Sequence, residues 1–558
     1  MIHNFEQRKP KDSYIFWAFN LFFFLFLGWP EWIQFPVFGM HQGAQADRAS
    51  IAWNYYQNDF QFFYPQVMEN RAANGVTGLE FPIIQYITAL LRAVFGYSHE
   101  LYRIVVGAFY LAGNWGVYQI TKLTIPRVFH RFLIMLLWLS SPILSFYSFN
   151  HLPDVPAMAC TMLGYFFVLR FYYDINKKQS FNLAIVFFTL SGLLKVTFLV
   201  HYIAVIFVFI SSKLSNITNS DNTVIDILDE NGQPIQSQSN KRFNFLQSIS
   251  FNPPFIINWF EILAFIITPI IAVFSWYYYA SFLTQSTGNT HFLQQMNPPS
   301  SFAEFIDNSR FALNTWIDSV YPRNFLILFL LVILISIQRK KQDLNLISTF
   351  FLLGFGGFLC VFILFNRQFR FHDYYFVQML PIVFFGILWL YQTHISGKLF
   401  FNGIAGILSL IGLYITPFVL ASNAKSQLKR TFTVGDYYCQ NIFNNVNDFE
   451  QASYWLKKEY LHKNQEVAIL FDPSPNTGLL LLQKQGIRIA PDFDSTTTFH
   501  ILRDKKNQQF AATNKHGFEK LIFINQSFSI PNNHWIWSMI EITPYKQWGE
   551  LSVHRLKM

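Results

Sequence analysis

Two acidic side chains, Asp47 and Glu80, are the first candidates for chemistry in this chain. Asp47 opens the stretch DRASIAWNYYQN, where about 100° of helical rotation per residue sets four polar side chains on one stripe: Asp47, Ser50, Asn54 and Asn58. The opposite face is aromatic, which is typical of a helix at a membrane interface. An ionised carboxylate held there can act as a general base. The alternative interpretation is that Asp47 only caps the start of its helix.

Glu80 lies in the segment GLEFP, directly before an apolar stretch from Ile83 to Phe95. This stretch is predicted to form a second helix along the membrane surface, with Glu80 near its start. The carboxylate can orient an acceptor or bind a divalent metal, so a metal is left open. It can equally cap the helix that begins at Pro82.

A cluster of basic and aromatic side chains, NRQFRFHDYY, follows one long apolar run. Arg367, Arg370 and His372 are candidate ligands for a phosphate, because a guanidinium matches phosphate oxygens in a bidentate manner. Tyr374 is a further candidate for substrate binding in this cluster. The alternative is that the arginines extend to the interface as anchors within an aromatic belt.

Three more candidates lie within or beside apolar runs. His151 and Asp154 occupy a short turn, where Asp154 followed by Pro156 also fits a simple helix start. Lys195 lies inside an apolar stretch, and charges in such places are expensive and usually functional. If the chain turns at the outer surface there, Lys195 can reach a phosphate.

The composition indicates which elements hold these residues. The 558-residue chain is 52% hydrophobic and 13% charged, whereas a soluble protein carries about 25% charged residues. Its apolar residues form runs of the roughly 20 residues that a bilayer span requires. We therefore predict a polytopic α-helical membrane protein with about eleven transmembrane helices, at residues 14–30, 101–121, 128–148, 153–173, 181–194, 196–212, 255–280, 324–337, 344–365, 374–394 and 398–420.

Basic residues predict the orientation of these spans. With the N-terminus in the cytoplasm, the inner loops hold Lys122, Arg127, Arg170, Lys177, Lys178, Arg339, Lys340, Lys341 and Lys398. The outer turn 150–152 has no basic residue except His151, as the positive-inside rule expects. The basic residues at 339–341 lie on the cytoplasmic side only if residues 181–212 cross the membrane twice. Two spans are therefore predicted for residues 181–212. A single long tilted helix is the alternative. The basic residues behind the net charge of +9 then face anionic lipid headgroups, so the charge does not indicate binding of nucleic acid.

Polar segments interrupt a predicted transmembrane module of residues 1–420. A first outer loop spans 31–100, and an Asn/Ser/Gln-rich cytoplasmic insertion spans 211–254. A second outer loop at 281–323, with His291, Glu304 and Arg310, is expected to cover the site as a mobile flap.

The remaining polar region, residues 421–558, is predicted to form a small α/β domain outside the cytoplasm. Phe449–Tyr460 has a helical pattern, and Glu466–Phe471 and Leu521–Ile524 have the pattern of buried strands. No Gly-rich phosphate loop follows a strand there, which argues against nucleotide binding.

Four segments carry a resemblance to a known family: HQGAQADRASIAWNYYQNDFQFFYPQV, GVTGLEFPIIQYITALLRAVFG, NHLPDVPAM and RFHDYYFVQMLPIV. With them the chain resembles the GT-C membrane glycosyltransferases, in the bacterial branch of aminoarabinose transferase and the protein O-mannosyltransferases. The resemblance implies a GT-C fold and transfer of a sugar from a polyprenyl-phosphate donor to a lipid, glycan or protein acceptor. It also implies that the site faces the extracytoplasmic side of the plasma membrane, with no nucleic acid as partner.

By this resemblance, Asp47 matches the first-loop aspartate, the general base, and Glu80 matches the acidic residue before the second loop helix. Some members place a basic residue after that glutamate and bind a metal there, whereas this chain has Phe81. The family also places site residues in the turn of His151 and Asp154.

Two other classes of membrane protein are the alternatives to a glycosyltransferase. A transporter or lipid flippase is disfavoured because no internal repeat is found and the candidate charges gather at one interface. A polymerase similar to O-antigen ligase would centre its site on a large late loop, whereas here the first loop is the elaborate one.

Overall fold

The structure, a computed structural model, describes these residues: 11–37, 39–69, 75–221, 258–289, 296–339, 345–394, 415–433, 437–459, 467–470, 476–483, 485–489, 521–525, 537, 540, 542–549 and 551–555. His291, most of the predicted insertion at 211–254 and most of the predicted span at 398–420 lie outside them.

Helices dominate the described residues. In chain order they are α1 Lys11–Phe26, α2 Trp29–Trp32, α3 Gln42–Gln57, α4 Ile83–Phe95, α5 Glu100–Thr124, α6 Val128–Leu139, α7 Pro142–Tyr147, α8 Asp154–Tyr172, α9 Lys177–Leu194, α10 Leu199–Asp221, α11 Trp259–Thr287, α12 Phe302–Val320, α13 Arg323–Arg339, α14 Leu346–Leu364, α15 Asn366–Phe371, α16 Met379–His394, α17 Thr416–Thr433, α18 Tyr437–Glu459 and α19 Thr477–Leu482. Short 3₁₀ segments, Val196–Phe198 and Asp373–Gln378, precede α10 and α16.

Several helices are suited to a bilayer. Within the described residues, five segments are long and apolar enough to cross a membrane: Asp154–Tyr172, Val196–Lys213, Trp259–Thr287, Leu346–Leu364 and Asp373–His394. The pair α12 and α13 would make a sixth, although the two helices are bent by 92°. The prediction of a multi-pass helical membrane protein is confirmed, while the number of eleven spans stays a prediction.

Residues 181–212 form two helices and not one. Lys195 has an extended backbone between α9 and the 3₁₀ turn that leads into α10. The rings of Phe181 in α9 and Phe209 in α10 both contact Phe171, at centroid distances of 5.2 and 5.8 Å. Phe181 is near the start of α9, whereas Phe209 is far along α10. Because both contact the same ring, the start of α9 lies beside the later part of α10, and the two helices run in opposite directions. A single long helix is therefore excluded, and the crossing of the membrane by both helices stays a prediction.

Helix α3 differs from its prediction. It begins at Gln42 with His41 as N-cap, so Asp47 lies inside the helix and does not start it. Its supposed membrane face is covered, because Ala49 packs into the core of the C-terminal region and Ala52 into the core of the helical body. The face predicted to meet lipid is therefore packed against protein, and the position of α3 at the membrane interface stays a prediction. The docking of a distant segment, which the local pattern does not reveal, buries this face.

Helix α4 covers the stretch that the sequence predicted to be helical, while its position along the membrane surface stays a prediction. Its outward face exposes Leu90, Val94 and Phe95, while Gln85 and Arg92 are buried on the inward face. A soluble helix would carry the reverse pattern. An exposed apolar face of this kind fits contact with lipid.

The C-terminal residues contain a five-stranded sheet in the order β2-β1-β3-β5-β4. The strands are β1 Val467–Leu470, β2 Gly486–Ile489, β3 Leu521–Asn525, β4 Lys546–Trp548 and β5 Leu551–Arg555. The first three in sequence pair in parallel, and β3-β5-β4 are antiparallel. Strands β1 and β3 match the two predicted strands, and α18 and α19 pack on the sheet.

Helix α17 belongs to the helical body. Leu420 and Leu428 are buried in its core, and Ser140 Oγ donates a hydrogen bond to the Pro417 carbonyl at 3.3 Å. The predicted domain boundary at residue 420 therefore falls inside this helix, and the separate domain of residues 421–558 stays a prediction.

Candidate functional site

A buried ion pair between Arg48 of α3 and Glu80 lies at the centre of the site. Arg48 Nε donates to Glu80 Oε1 at 2.8 Å, and Arg48 Nη2 donates to Glu80 Oε2 at 3.2 Å. The Glu80 side chain is fully buried, and that of Arg48 is 10% exposed. Burial raises the pKa of Glu80, but the charge and hydrogen bonds of Arg48 outweigh this and hold that pKa below its usual value. Glu80 is therefore ionised and paired.

The Asp47 carboxylate stands beside this pair. Its Oδ2 lies 3.8 Å from Arg48 Nη1, and its Oδ1 accepts a hydrogen bond from Asn476 Nδ2 at 2.8 Å. Burial raises the pKa of Asp47 to about 6, and Arg48 and the Asn476 hydrogen bond limit the rise. The carboxylate is thus mainly ionised at pH 7 and a stronger base than an ordinary aspartate. With 14% of its side chain exposed, it remains accessible.

Asn476 brings the C-terminal region to the site. It is the N-cap residue of α19 and is completely buried. Its Oδ1 accepts from the backbone N–H of Glu69 at 2.8 Å, so the amide is oriented to donate toward Asp47. A second contact between the same two regions joins Gln485 Nε2 to Asn54 Oδ1 at 2.8 Å.

A second buried pair joins Asp154 and Lys195, both of which the sequence predicted. Lys195 Nζ lies 3.3 Å from Asp154 Oδ1, and each side chain is 2% exposed. The same ammonium lies 4.9 and 4.7 Å from the ring centroids of Tyr374 and Tyr375, so it also makes cation–π contacts. Asp154, Lys195 and Tyr374 therefore lie together.

The capping alternative fails for Asp47 and Glu80, whereas Asp154 does begin α8, as the simple helix start predicts, although without a side-chain cap hydrogen bond. Asp47 is inside α3. The N-cap of α4 is Pro82 and that of α8 is Pro153, and neither helix has a side-chain cap hydrogen bond. The carboxylates of Glu80 and Asp154 instead contact Arg48 and Lys195.

Two predicted histidines are neutral, and of these His151 is buried and His372 is half-buried. His151 Nδ1 lies 3.3 Å from Gln45 Oε1, and burial and the nearby Arg103 hold its pKa well below the ordinary value. The His372 ring stacks on Tyr374 at 5.1 Å, and burial lowers its pKa to about 3. His372 can therefore meet a phosphate as a hydrogen-bond donor, but not as the cation that the sequence suggested.

Arg367 and Arg370 are already engaged by acidic residues of α12. Arg367 pairs with Glu304, with Nη2 donating to Oε2 at 2.8 Å. Arg370 pairs with Asp307 and donates from Nη1 to Asn308 Oδ1 at 2.9 Å. These side chains line a groove of about 420 Å³. This arrangement supports the alternative that the arginines are anchors, here holding α12, and their role as phosphate ligands stays a prediction.

The sequence did not reveal three residues of the site: Arg48, Asn476 and Asp373. Asp373 is the acceptor in a small hydrogen-bond network. His41 Nε2 and Tyr147 Oη approach Asp373 Oδ1 at 2.9 and 2.5 Å. The only available signal was the charge of Arg48 next to Asp47. The partners come from distant parts of the chain.

The donor set does not favour a metal at Glu80. Both carboxylate oxygens accept hydrogen bonds from Arg48. Among the described residues, no group of three or more His, Cys, Asp or Glu side chains is arranged to hold a metal ion.

Comparisons with known proteins agree with this fold. A sequence profile of the family described as dolichyl-phosphate-mannose-protein mannosyltransferase matches residues 80–224, which include Glu80, His151, Asp154 and Lys195. Structures of ArnT from Cupriavidus metallidurans, apo and bound to undecaprenyl phosphate, are similar with TM-scores of 0.50 and 0.51. Each is 10% identical and covers 97% of both chains. The oligosaccharyltransferase of Archaeoglobus fulgidus is similar with a TM-score of 0.44 and 12% identity, over 88% of this chain and 66% of that one. A search of the curated proteins found no match.

The fold is therefore that of the GT-C membrane proteins, shared with ArnT over nearly the whole chain. Together with the family match, it confirms the predicted resemblance to aminoarabinose transferase and the protein mannosyltransferases, and the chain is a membrane glycosyltransferase.

Proposed function

We propose that this glycosyltransferase moves a sugar from a polyprenyl-phosphate donor to an acceptor at the extracytoplasmic membrane surface, with Asp47 as general base. The proposal rests on the Asp47 carboxylate, which lies beside the buried Arg48–Glu80 pair. This carboxylate is accessible, and its pKa is raised to about 6. A base with a pKa near the operating pH is the most effective for proton transfer.

In the proposed step, an acceptor hydroxyl gives its proton to Asp47 while its oxygen bonds to the anomeric carbon of the sugar. The bond from that carbon to the phosphate oxygen breaks, and polyprenyl phosphate leaves with one additional negative charge. Arg48, which contacts both Asp47 and Glu80, and Lys195, which interacts electrostatically with Glu80, would stabilise this charge. Tyr374 and Tyr375, which lie against Lys195, would form an aromatic wall for the donor.

The polyprenyl-phosphate donor is proposed from the fold, since ArnT of the same fold binds undecaprenyl phosphate. Exposed apolar side chains on α4, and Phe260, Phe274 and Tyr278 on α11, fit access for a lipid from the membrane.

The extracytoplasmic orientation rests on the positions of basic residues. Asp154 begins α8 and Lys195 follows α9, whereas Arg170 and Lys177 lie at the opposite ends of these antiparallel helices. Lys122 lies in the last turn of α5. Under the positive-inside rule, the basic end faces the cytoplasm and the site faces outward.

Accessibility labelling tests this orientation. In a background with the three native cysteines replaced, Tyr454→Cys on α18, a position that is 67% exposed, should react with a membrane-impermeant maleimide in intact cells. The exposed residue Lys178 at the start of α9 supplies the matched control, since Lys178→Cys should react only after lysis. The reverse pattern would contradict the orientation.

The catalytic proposal is tested by Asp47→Asn in a membrane transfer assay with a panel of labelled polyprenyl-phosphate sugars. Asparagine keeps the size of the side chain and removes its basicity. Transfer should fall by at least about a hundredfold with normal expression, because general-base catalysis is typically worth roughly 10²- to 10⁴-fold. Asp59→Asn, at an exposed position of the same loop, is the matched control and should retain wild-type transfer. A correctly inserted Asp47→Asn protein with wild-type turnover would overturn the mechanism, though not the fold.

A further inference from the structure

Arg92 is a buried cation whose hydrogen-bonding capacity is largely unused. It lies on the inward face of α4 with 2% of its surface exposed. Its Nη2 donates a weak hydrogen bond to the Ser98 carbonyl at 3.4 Å, and the guanidinium lies 4.7 Å from the ring centroid of Tyr97. Its Nε and Nη1 atoms have no hydrogen-bond partner. Since arginine stays protonated in proteins, a full charge is buried here.

The neighbouring groups do not neutralise this charge. Burial raises the pKa of Tyr97 in spite of Arg92, so the phenol stays neutral. Burial, with Arg92 and Arg103, lowers the pKa of His99 to about 4, so this ring is neutral as well. Within the described residues, no carboxylate forms an ion pair with Arg92. An uncompensated buried charge of this kind is costly.

Arg103 makes an instructive contrast in the same region. Its guanidinium donates to the carbonyls of Phe35, Pro36 and Phe149 at 3.2, 2.7 and 2.8 Å. This is a structural arginine that ties loops together. Arg92 has no comparable set of acceptors, so its guanidinium is available to a ligand.

The surroundings of Arg92 point to the chemistry of that ligand. A guanidinium with free Nε and Nη1 donors matches the oxygens of a phosphate in bidentate geometry. The hydroxyl of Tyr102, which has no hydrogen-bond partner, interacts electrostatically with Arg92 and also with Arg48. The outward face of α4 exposes Leu90 and Phe95, which fit a membrane surface. A phosphate that reaches Arg92 from the membrane surface belongs to the headgroup of a lipid.

We propose that Arg92 and Tyr102 form a second anion site, separate from the Asp47–Arg48 cluster, which binds the phosphate headgroup of a membrane lipid under α4. The site does not depend on the proposed sugar transfer. It would hold an anionic lipid next to the base network, because Tyr102 interacts electrostatically with both Arg92 and Arg48.

The test uses the full-length protein in a neutral detergent, titrated with short-chain phosphatidic acid while its thermal unfolding midpoint is followed. The midpoint of the wild type should rise. Arg92→Met should weaken the apparent affinity by at least about tenfold, because it removes hydrogen bonds to a charged group. Without lipid, Arg92→Met should be as stable as the wild type or more stable, because the buried charge is gone.

Arg127→Met is the matched control, since Arg127 is exposed at the other end of the helical body and should leave the titration unchanged. Tyr102→Phe should weaken binding less than Arg92→Met does. A lipid-dependent rise that persists in Arg92→Met, or an Arg92→Met protein that is less stable than the wild type without lipid, would overturn the proposal. If inorganic phosphate alone gives the same Arg92-dependent rise at the same concentration, the lipid assignment is overturned.

Discussion

The pairs Arg48–Glu80 and Arg367–Glu304 have the same chemical groups in different surroundings. The side chains of Arg48 and Glu80 are 10% and 0% exposed, whereas those of Arg367 and Glu304 are 37% and 28% exposed. Loss of one partner leaves a buried charge uncompensated in the first case, while water replaces the partner in the second. The count of charged residues in a motif is therefore a poor guide to their role. Burial and proximity to the base decide it.

The largest effect is expected from Arg48→Gln. Transfer should fall by at least about a hundredfold, as when a single oxyanion-stabilising donor is lost. The free energy of unfolding should fall by roughly 3–5 kcal/mol, because Glu80 is left buried without its partner. Transfer assays and chemical denaturation in detergent measure the two quantities.

The double variant Arg48→Gln/Glu80→Gln separates these effects. Both charges are then absent, so much of the stability should return while transfer stays low. A double variant that regains transfer would show that Arg48 serves only to neutralise Glu80, and the proposed contact with the leaving phosphate would be wrong.

A smaller effect is expected from acidification and from Asn476. Because the pKa of Asp47 is raised to about 6, its basic form and the transfer rate should decline as pH falls through that value. The Asn476 hydrogen bond stabilises the ionised carboxylate, so Asn476→Leu should move this acid limb to higher pH. A pH–rate profile of each protein measures the shift.

Gln485→Leu is the control for that experiment. It removes another hydrogen bond between the C-terminal region and α3, that of Gln485 to Asn54, without touching Asp47. Its acid limb should coincide with that of the wild type. Equal displacement in both variants would mean that docking of the C-terminal region, and not the Asn476 hydrogen bond, sets the basicity of Asp47.

What the sequence could predict follows from the range of the interactions involved. Apolar runs predicted the membrane class and the amphipathic α4, because these depend on local composition and period. Asp47, Glu80, Asp154 and Lys195 were found because an acid in an elaborate loop or a charge in an apolar run is conspicuous.

The contacts of these residues were beyond local patterns. Arg48 belongs to the same helix as Asp47, but its partner Glu80 is brought to it only by tertiary folding. Asn476 comes from the far end of the chain, and its docking also buries the face of α3 that the pattern predicted to be in lipid. A periodic pattern identifies a covered face without showing what covers it.

The smallest effect is expected at Arg370, where the role of the exposed arginines can be tested directly. If Arg370 binds the donor phosphate, Arg370→Ala should lower transfer more than Arg370→Lys, because lysine keeps the charge while losing the fork. The structure favours a weaker outcome, since Arg370 is paired with Asp307, whose side chain is 67% exposed. Both variants should then retain transfer within about threefold of the wild type, as expected for exposed pairs. Asp307→Asn is the matched control, because it removes the carboxylate that pairs with Arg370. Improved donor use in this variant, together with a large loss of transfer in Arg370→Ala, would reassign the phosphate site to the groove beside α12.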